Sequence, residues 1–269
     1  MRRLKWLLFF IFLLMLVGVY VLWIEPSSLK TTVLDFGQAV SDNSIKIVYF
    51  ADLHLSRWGA FQEKLLKTIA GQHPDCIFFG GDALAKKTNV SDLERFFFEL
   101  AKIAPVYAIF GNWEDEAPIH MIQRYRNLGI TLIDKDTQTI FVRGMTIGIT
   151  GIQSHYFIRQ VKHMELLDET DWQILLIHAP NRLEQYPEFY TRFDLVLAGH
   201  THGGQFYIPY LTQAALKISG NDSLWLRGQY RAQQTTVYVT NGVGQWFPGR
   251  LFSTPEIVSF SLPKVTRDD

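Results

Sequence analysis

The chain has 269 residues, 48% of them hydrophobic and 19% charged, and its 26 basic side chains cancel its 26 acidic ones. This length can bury a sizeable core, and the balanced charge offers no basic field to hold nucleic acid, which argues against a nucleic-acid partner. The single cysteine, Cys76, rules out an intrachain disulfide and, inside the apolar run Cys76-Ile77-Phe78-Phe79, reads as a small buried hydrophobe.

Trp6 to Ile24 is an uncharged, almost wholly apolar stretch, long enough at the helical rise to cross a hydrocarbon core of ~30 Å. Arg2, Arg3 and Lys5 precede it, whereas Glu25 follows it with Lys30 as the first positive charge beyond. The positive-inside rule then places the amino terminus in the cytoplasm and the rest of the chain outside. A cleaved signal peptide is the alternative, but Gly18-Val19-Tyr20-Val21 contains no small-x-small cleavage pattern. The expected organisation is an anchor over residues 1–25, a polar connector over 26–44 opened by Pro26-Ser27-Ser28, and one domain over 45–269.

Within that domain Ile45 to Ala51 predicts a strand, Phe61 to Ala70 a helix, and Cys76 to Phe79 a second strand, which together make a β-α-β unit. Ser91 and Glu94 are spaced as a capping box for a helix carrying Leu93, Phe96, Phe97 and Leu100. Val106 to Phe110 is a third strand, and Pro118 to Leu128 a helix closed by Gly129. Thr139 to Val142 and Thr146 to Ile149 flank Arg143-Gly144 as an antiparallel hairpin. Ile174 to Ile177, Leu195 to Ala198, Thr236 to Thr240 and Ile257 to Leu262 are further short strands. The alternation predicts an α/β fold of two mixed sheets packed together with helices outside.

Metal-type side chains follow these strands in order: Asp52-Leu53-His54, Gly80-Gly81-Asp82, Gly111-Asn112, His178, and Gly199-His200-Thr201-His202. Loops at strand ends are where such folds build sites, so residues far apart in sequence can converge there. Taken singly, an Asp-x-His or a Gly-Gly-Asp is ordinarily a turn, and His178 alone would read as a buried, hydrogen-bonded histidine. Five such segments, each after an apolar strand, read as one site. Four imidazoles, two carboxylates and an amide, without a thiolate, suit divalent Mn, Fe or Zn.

These five blocks resemble those of the calcineurin-like metallophosphoesterases, over about Ile45 to Leu262. Gly199-His200-Thr201-His202-Gly203-Gly204-Gln205 and the ending Pro248-Gly249-Arg250-Leu251-Phe252 with Pro255-Glu256 look more narrowly like the membrane-anchored bacterial branch, which includes UDP-2,3-diacylglucosamine pyrophosphatases. The resemblance implies a four-layer αββα sandwich, preceded here by the transmembrane helix, in a single-pass protein of the bacterial inner membrane. It implies two divalent ions per chain, Mn2+ first among them. Asp52, His54 and His202 would hold one, Asn112, His178 and His200 the other, and Asp82 would bridge them, with Asp82, Asn112 and His200 nearest the chemistry. It also implies hydrolysis of a phosphoester or pyrophosphate bond, in a phosphorylated lipid or a nucleotide-linked lipid such as UDP-2,3-diacylglucosamine.

In Gly111-Asn112-Trp113-Glu114 the sequence departs from the pattern, because Trp113 stands where the family usually has a histidine. An indole N–H donates a hydrogen bond but delivers no proton. Glu114, Asp115 and His155 are the candidate substitutes, each with an ordinary surface role as its competing reading. Arg250 could bind a phosphate or pair with a surface acid. Phe206-Tyr207-Ile208-Pro209-Tyr210-Leu211 and Trp246-Phe247-Pro248 could form an apolar mouth or pack as ordinary strand ends. Two alternatives to the leading function stay open: a phosphodiesterase acting on an extracytoplasmic phospholipid or cell-envelope substrate, as the anchor's charge asymmetry favours, and a non-catalytic metal-bound scaffold.

Overall fold

The computed structural model describes residues 2–36, 44–116, 121–133, 137–153, 166, 170–180, 183–218 and 225–264. Two six-stranded sheets organise the chain. The first runs β1 (Lys30–Leu34), β12 (Glu256–Leu262), β2 (Ile45–Phe50), β3 (Cys76–Phe79), β4 (Val106–Ala108) and β5 (Thr131–Leu132). The second runs β10 (Gly228–Ala232), β11 (Thr235–Val239), β9 (Leu195–Ala198), β8 (Trp172–Ile177), β7 (Met145–Ile152) and β6 (Thr137–Val142). Both are mixed: β2 to β5 are parallel with β12 antiparallel to β2, and β7, β8, β9 and β11 are parallel with antiparallel strands at both edges.

Strand periodicity sorts the apolar residues into layers, since successive side chains point to opposite faces. Ile47, Tyr49 and Phe78 of the first sheet meet Ile147, Ile174, Leu176 and Leu197 of the second in the core between the sheets. Val48, Phe50, Ile77 and Phe79 point the other way, onto Leu65 and Ile69 of helix Ala60–Ala70 and Phe96, Phe97 and Leu100 of helix Val90–Ala101. Leu175, Ile177, Val196 and Val237 face Leu183, Phe189 and Phe193 on the outside of the second sheet. Strands buried on both faces read as unbroken apolar runs, and the layering is the αββα order that the family resemblance implies. Cys76 is buried, as its surroundings predict.

Several elements differ from expectation. Lys30–Leu34, inside the stretch read as a polar connector, is a strand that pairs in parallel with Glu256–Leu262 at the edge of the first sheet. Its Lys30 ammonium lies 2.9 Å from the buried Glu256 carboxylate. The helix read from a Ser91 and Glu94 box is capped instead by Asn89, whose side-chain oxygen accepts the Asp92 N–H at 3.2 Å. Asn is as good an N-cap as Ser, and its extended backbone starts the helix two residues earlier than a Ser91 cap would, at Val90. Of the helix expected over 118–128, Met121–Asn127 is described; Gly129 follows with φ +73°, the left-handed conformation expected of a terminating glycine. Arg143 and Gly144 both have positive φ, as a two-residue hairpin turn requires, and β6 and β7 pair as expected.

At the amino end, helix Arg2–Val19 passes into a π turn over Tyr20–Ile24 and ends at Ser27. It is long and apolar enough to cross a membrane. Its last turns are bonded to the domain. The Val21 carbonyl accepts the Arg250 N–H at 2.9 Å, and the buried Glu25 carboxylate accepts the N–H groups of Phe252 and Ser253 at 2.9 and 2.7 Å.

Candidate metal centre

The C-terminal ends of β2, β3 and β4 in one sheet and β8 and β9 in the other open on a common rim. Asp52 and His54 follow β2, Asp82 follows β3, Asn112 follows β4, His178 follows β8, and His200 and His202 follow β9. The structure thus brings together all seven residues singled out as ligands. The ligand atoms of Asp52, His54 and His202 lie within 4.8 Å of one another, and so do those of Asp82, His178 and His200. Asn112 belongs with the second group: its Oδ1 is 3.2 Å from His178 Nε2 and 3.1 Å from His200 Nδ1. Asp82 stands between the groups, with Oδ2 3.3 Å from His178 Nε2 and 3.6 Å from His54 Nε2.

Backbone groups aim these side chains. His54 Nδ1 lies 2.8 Å from the Leu84 carbonyl and His178 Nδ1 2.8 Å from the Gly80 carbonyl. A carbonyl accepts only, so each ring carries a proton on Nδ1 and turns its Nε2 into the site. His54 Nε2 and His202 Nε2 are 3.1 Å apart, a spacing for two nitrogens that share a cation. The His200 N–H donates to both oxygens of Asp52 at 3.0 Å, and the Trp113 N–H donates to Asp82 Oδ1 at 3.0 Å. Asp52, His54, Asp82, His200 and His202 all adopt left-handed φ, between +41° and +69°. Such backbone is sparsely populated for residues other than glycine and persists where the surroundings over-determine it. At Gly111, any Cβ would overlap Asp82 Oδ1, so that carboxylate can approach only a glycine.

The electrostatics are those of a buried anionic pair facing imidazoles. Burial, reinforced by the charge of Asp82, pushes the Asp52 carboxyl up to about 7. Burial also opposes ionisation of Asp82, but His178 and His54 outweigh it and hold this carboxyl below its usual range. His178 goes the other way: burial disfavours its charge, yet Asp82 and Asp52 raise it to about 9. Burial and the neighbouring His178 push His200 down to about 4, and burial with His54 and Arg250 holds His202 well below its usual range. Imidazoles kept neutral beside buried carboxylates, as at His200 and His202, are donors that a divalent cation can take.

Three residues have places the sequence did not disclose. Glu114, read as a surface residue, is buried, and its carboxylate accepts the N–H groups of Asp82, Ala83, Leu84 and Gly111 at 2.6 to 3.1 Å. Burial, and then the charge of Asp82, push its carboxyl up to about 6. Arg250, read as a phosphate ligand or surface ion-pair partner, is fully buried instead. Its Nη1 and Nη2 donate to the carbonyls of Ser253, Asn241 and Gly244 and Nη2 approaches His202 Nδ1 at 3.4 Å, which commits these two nitrogens to the loop beneath the site. Trp113 is half-buried on the rim, its ring edge-on to His54 with centroids 5.3 Å apart. His155 and the side chain of Asp115 lie outside the described residues. The signals for Glu114 and Arg250 are long-range backbone contacts, which no local pattern records.

A cleft of about 520 Å³ opens at the site, lined by Asp82, Asn112, His200 and His202 together with Trp113, Trp246 and Phe247. Residues 45–204, more than half of the chain, match the calcineurin-like phosphoesterase family, to which the chain belongs. It is therefore one of the metal-dependent phosphoester hydrolases. The chain is 28% identical over 228 residues to the phosphodiesterase YaeI of Escherichia coli, covering 81% of this chain and 82% of that one. It is 24% identical over 303 residues to the UDP-2,3-diacylglucosamine pyrophosphatase LpxG of Chlamydia muridarum, covering 87% and 89%. An uncharacterized metallophosphoesterase of Campylobacter jejuni is 29% identical over 230 residues, covering 81% of this chain and 59% of that longer protein.

Removing the Glu114 acceptor should leave several buried N–H groups unpaired at about 1 to 3 kcal/mol each. Glu114→Ala is expected to lower stability by more than about 3 kcal/mol in denaturant unfolding, with Glu114→Gln intermediate because its single oxygen still accepts. A loss under about 1 kcal/mol in Glu114→Ala would show that the loop after β3 does not depend on this carboxylate.

Proposed function

We propose that the chain is a membrane-tethered hydrolase that holds two divalent cations and cleaves phosphodiester or pyrophosphate bonds in a phosphorylated lipid or a nucleotide-linked lipid. The position of Asp82 carries the proposal: one carboxylate oxygen faces both triads, as a bridging ligand must. Asp52, His54 and His202 would hold one ion, and Asn112, His178 and His200 the other. The donors are oxygens and imidazole nitrogens, which favours Mn2+, with Fe and Zn as alternatives. When bound, such a pair supplies an activated water and neutralises charge in an in-line displacement.

The chain's own residues do the rest. The carbonyls of Gly80 and Leu84 fix the tautomers of His178 and His54. The Glu114 carboxylate and the Trp113 N–H hold Asp82 in place. Trp113 walls the cleft without a proton to give, so the leaving group must depart with little help, as a phosphate or an acidic alcohol does. The names of two relatives, a phosphodiesterase and a sugar-nucleotide pyrophosphatase, support that substrate class. A non-catalytic scaffold needs neither an open cleft nor a carboxylate facing two triads.

Residues 6–24 would serve as an uncleaved anchor, with the amino terminus in the cytoplasm and the domain on the outer face of the bacterial inner membrane. The bonds from Val21 and Glu25 to the 250–253 loop support retention, because cleavage after Val21 would remove the carbonyl that accepts the Arg250 N–H, and cleavage after Glu25 would remove the carboxylate that accepts Phe252 and Ser253 as well.

Asp82→Asn keeps the shape of the bridging residue and an acceptor for Trp113 but removes the charge. Elemental analysis of the purified variant should show loss of metal, and hydrolysis of an aryl phosphodiester should fall by at least about 10³-fold, in line with losing the metal-supplied nucleophile. Full metal content with unchanged turnover would remove the two-ion reading. For Trp113, a series of aryl phosphodiesters of graded leaving-group pKa should give a steep dependence of kcat/KM in the native chain and a shallower one in Trp113→His at equal metal content. Equal slopes would mean that another acid already serves.

A further inference from the structure

The surface beside the end of the anchor carries more apolar area than hydrolysis requires. Helix Leu211–Ile218 buries none of its residues. Tyr210 is 86% exposed, Leu211 62%, Ile218 88% and Trp246 58%. Only Thr212 and Leu216, on one face of it, are half-buried, and exposed apolar surface of this kind marks a place where something docks.

This surface is continuous with the anchor. At Gly249 a Cβ would lie 3.0 Å from Phe206, 3.2 Å from Val21 and 3.3 Å from Leu22, so the last apolar turn of the anchor and the segment leading into helix Leu211–Ile218 meet at one glycine. Phe206 stacks on Phe247 with centroids 5.4 Å apart, and Trp246 meets Phe247 edge-on at 4.3 Å. Leu216 of the exposed helix and Trp246 both line the cleft over Asp82 and His200. A second groove, of about 510 Å³, runs from Leu22, Trp23 and Pro26 to His54 and shares Trp246 and Phe247 with the first.

We propose that helix Leu211–Ile218 and the Trp246–Phe247 turn sit in the bilayer interface beside the anchor, so that the cleft opens into the leaflet and takes its phosphorylated lipid directly from it. The proposal rests on reading residues 6–24 as a membrane anchor and deepens the substrate class inferred above. The occupant of the patch is the lipid surface because the anchor fixes where that surface lies. The helix from Arg2 to Ser27 has 26 residues, and its length of about 39 Å exceeds the ~30 Å hydrocarbon core, so its final turn is at headgroup level. Trp23, 64% exposed in that turn, is the residue type that favours this level. The Arg250 N–H bond to Val21 and the Glu25 bonds to Phe252 and Ser253 pin the domain to the same turn. Amphiphilic helices and aromatic loops partition into that layer.

The full-length chain, reconstituted in vesicles of phosphatidylcholine and phosphatidylglycerol, tests this by spin labelling, since its one native cysteine, Cys76, is buried. Nitroxides are placed singly at Tyr210→Cys and Ile218→Cys, at Leu13→Cys within the anchor, and at Phe141→Cys on edge strand β6, where Phe141 is 75% exposed. Power saturation is then compared in oxygen, which concentrates in lipid, and in a water-soluble nickel chelate. Labels at 210 and 218 should be relaxed more by oxygen than by nickel, with the same sign as at 13 and the opposite sign to 141. Labels at 210 and 218 that match 141, while 13 stays lipid-exposed, would overturn the proposal and leave the anchor intact. A label at 13 that is nickel-accessible would overturn the anchor and this inference together, while leaving the metal centre untouched.

Discussion

Asp52 and Asp82 are both buried, close enough for each charge to disfavour the other's, and everything around them is arranged around that cost. An uncompensated buried carboxylate costs several kcal/mol, and a buried pair persists only where cationic or hydrogen-bonding partners are built in. Here the compensation comes in shells. Imidazoles face the carboxylates, backbone carbonyls turn the imidazoles, and the Glu114 carboxylate gathers the N–H groups of the loop that presents Asp82. The left-handed backbone at five of the seven site residues is the conformational side of the same constraint, since strand ends must bend sharply to bring side chains of two sheets onto one point.

Much of this was legible in the sequence, for definite reasons. Strands buried on both faces cannot hide their composition, so the runs at Ile45, Cys76, Leu195 and Ile257 were visible, as was the Arg143-Gly144 hairpin. The seven ligand-type residues were visible because each follows such a run. What was not legible depends on partners distant in the chain. Asn89 rather than Ser91 caps its helix, and its own N–H is bonded to the carbonyl of Ser56, a residue distant in the chain. Lys30–Leu34 becomes a strand only because Glu256–Leu262 offers it an edge. Glu114 and Arg250 are charged residues that composition assigns to the surface, and they are buried because the backbone groups they bind belong to loops around the site.

The amino-terminal helix and the centre are joined by a short relay. Glu25, in the turn that ends this helix, binds the N–H of Ser253, whose hydroxyl donates to the His202 carbonyl at 2.6 Å. Arg250, whose N–H binds Val21, turns its guanidinium under His202. A displacement of the last turn of this helix therefore bears on the loop that carries a site histidine within two contacts, because that turn is hydrogen-bonded to the loop beneath the site.

The account stands on two cations sharing Asp82. The most direct measurement is anomalous diffraction from crystals of the chain loaded with Mn2+. It should give two peaks about 3.5 to 4 Å apart, both within bonding distance of the Asp82 carboxylate, one beside His54 and His202 and the other beside His178 and His200. A single peak, or two peaks of which neither touches Asp82, would contradict it.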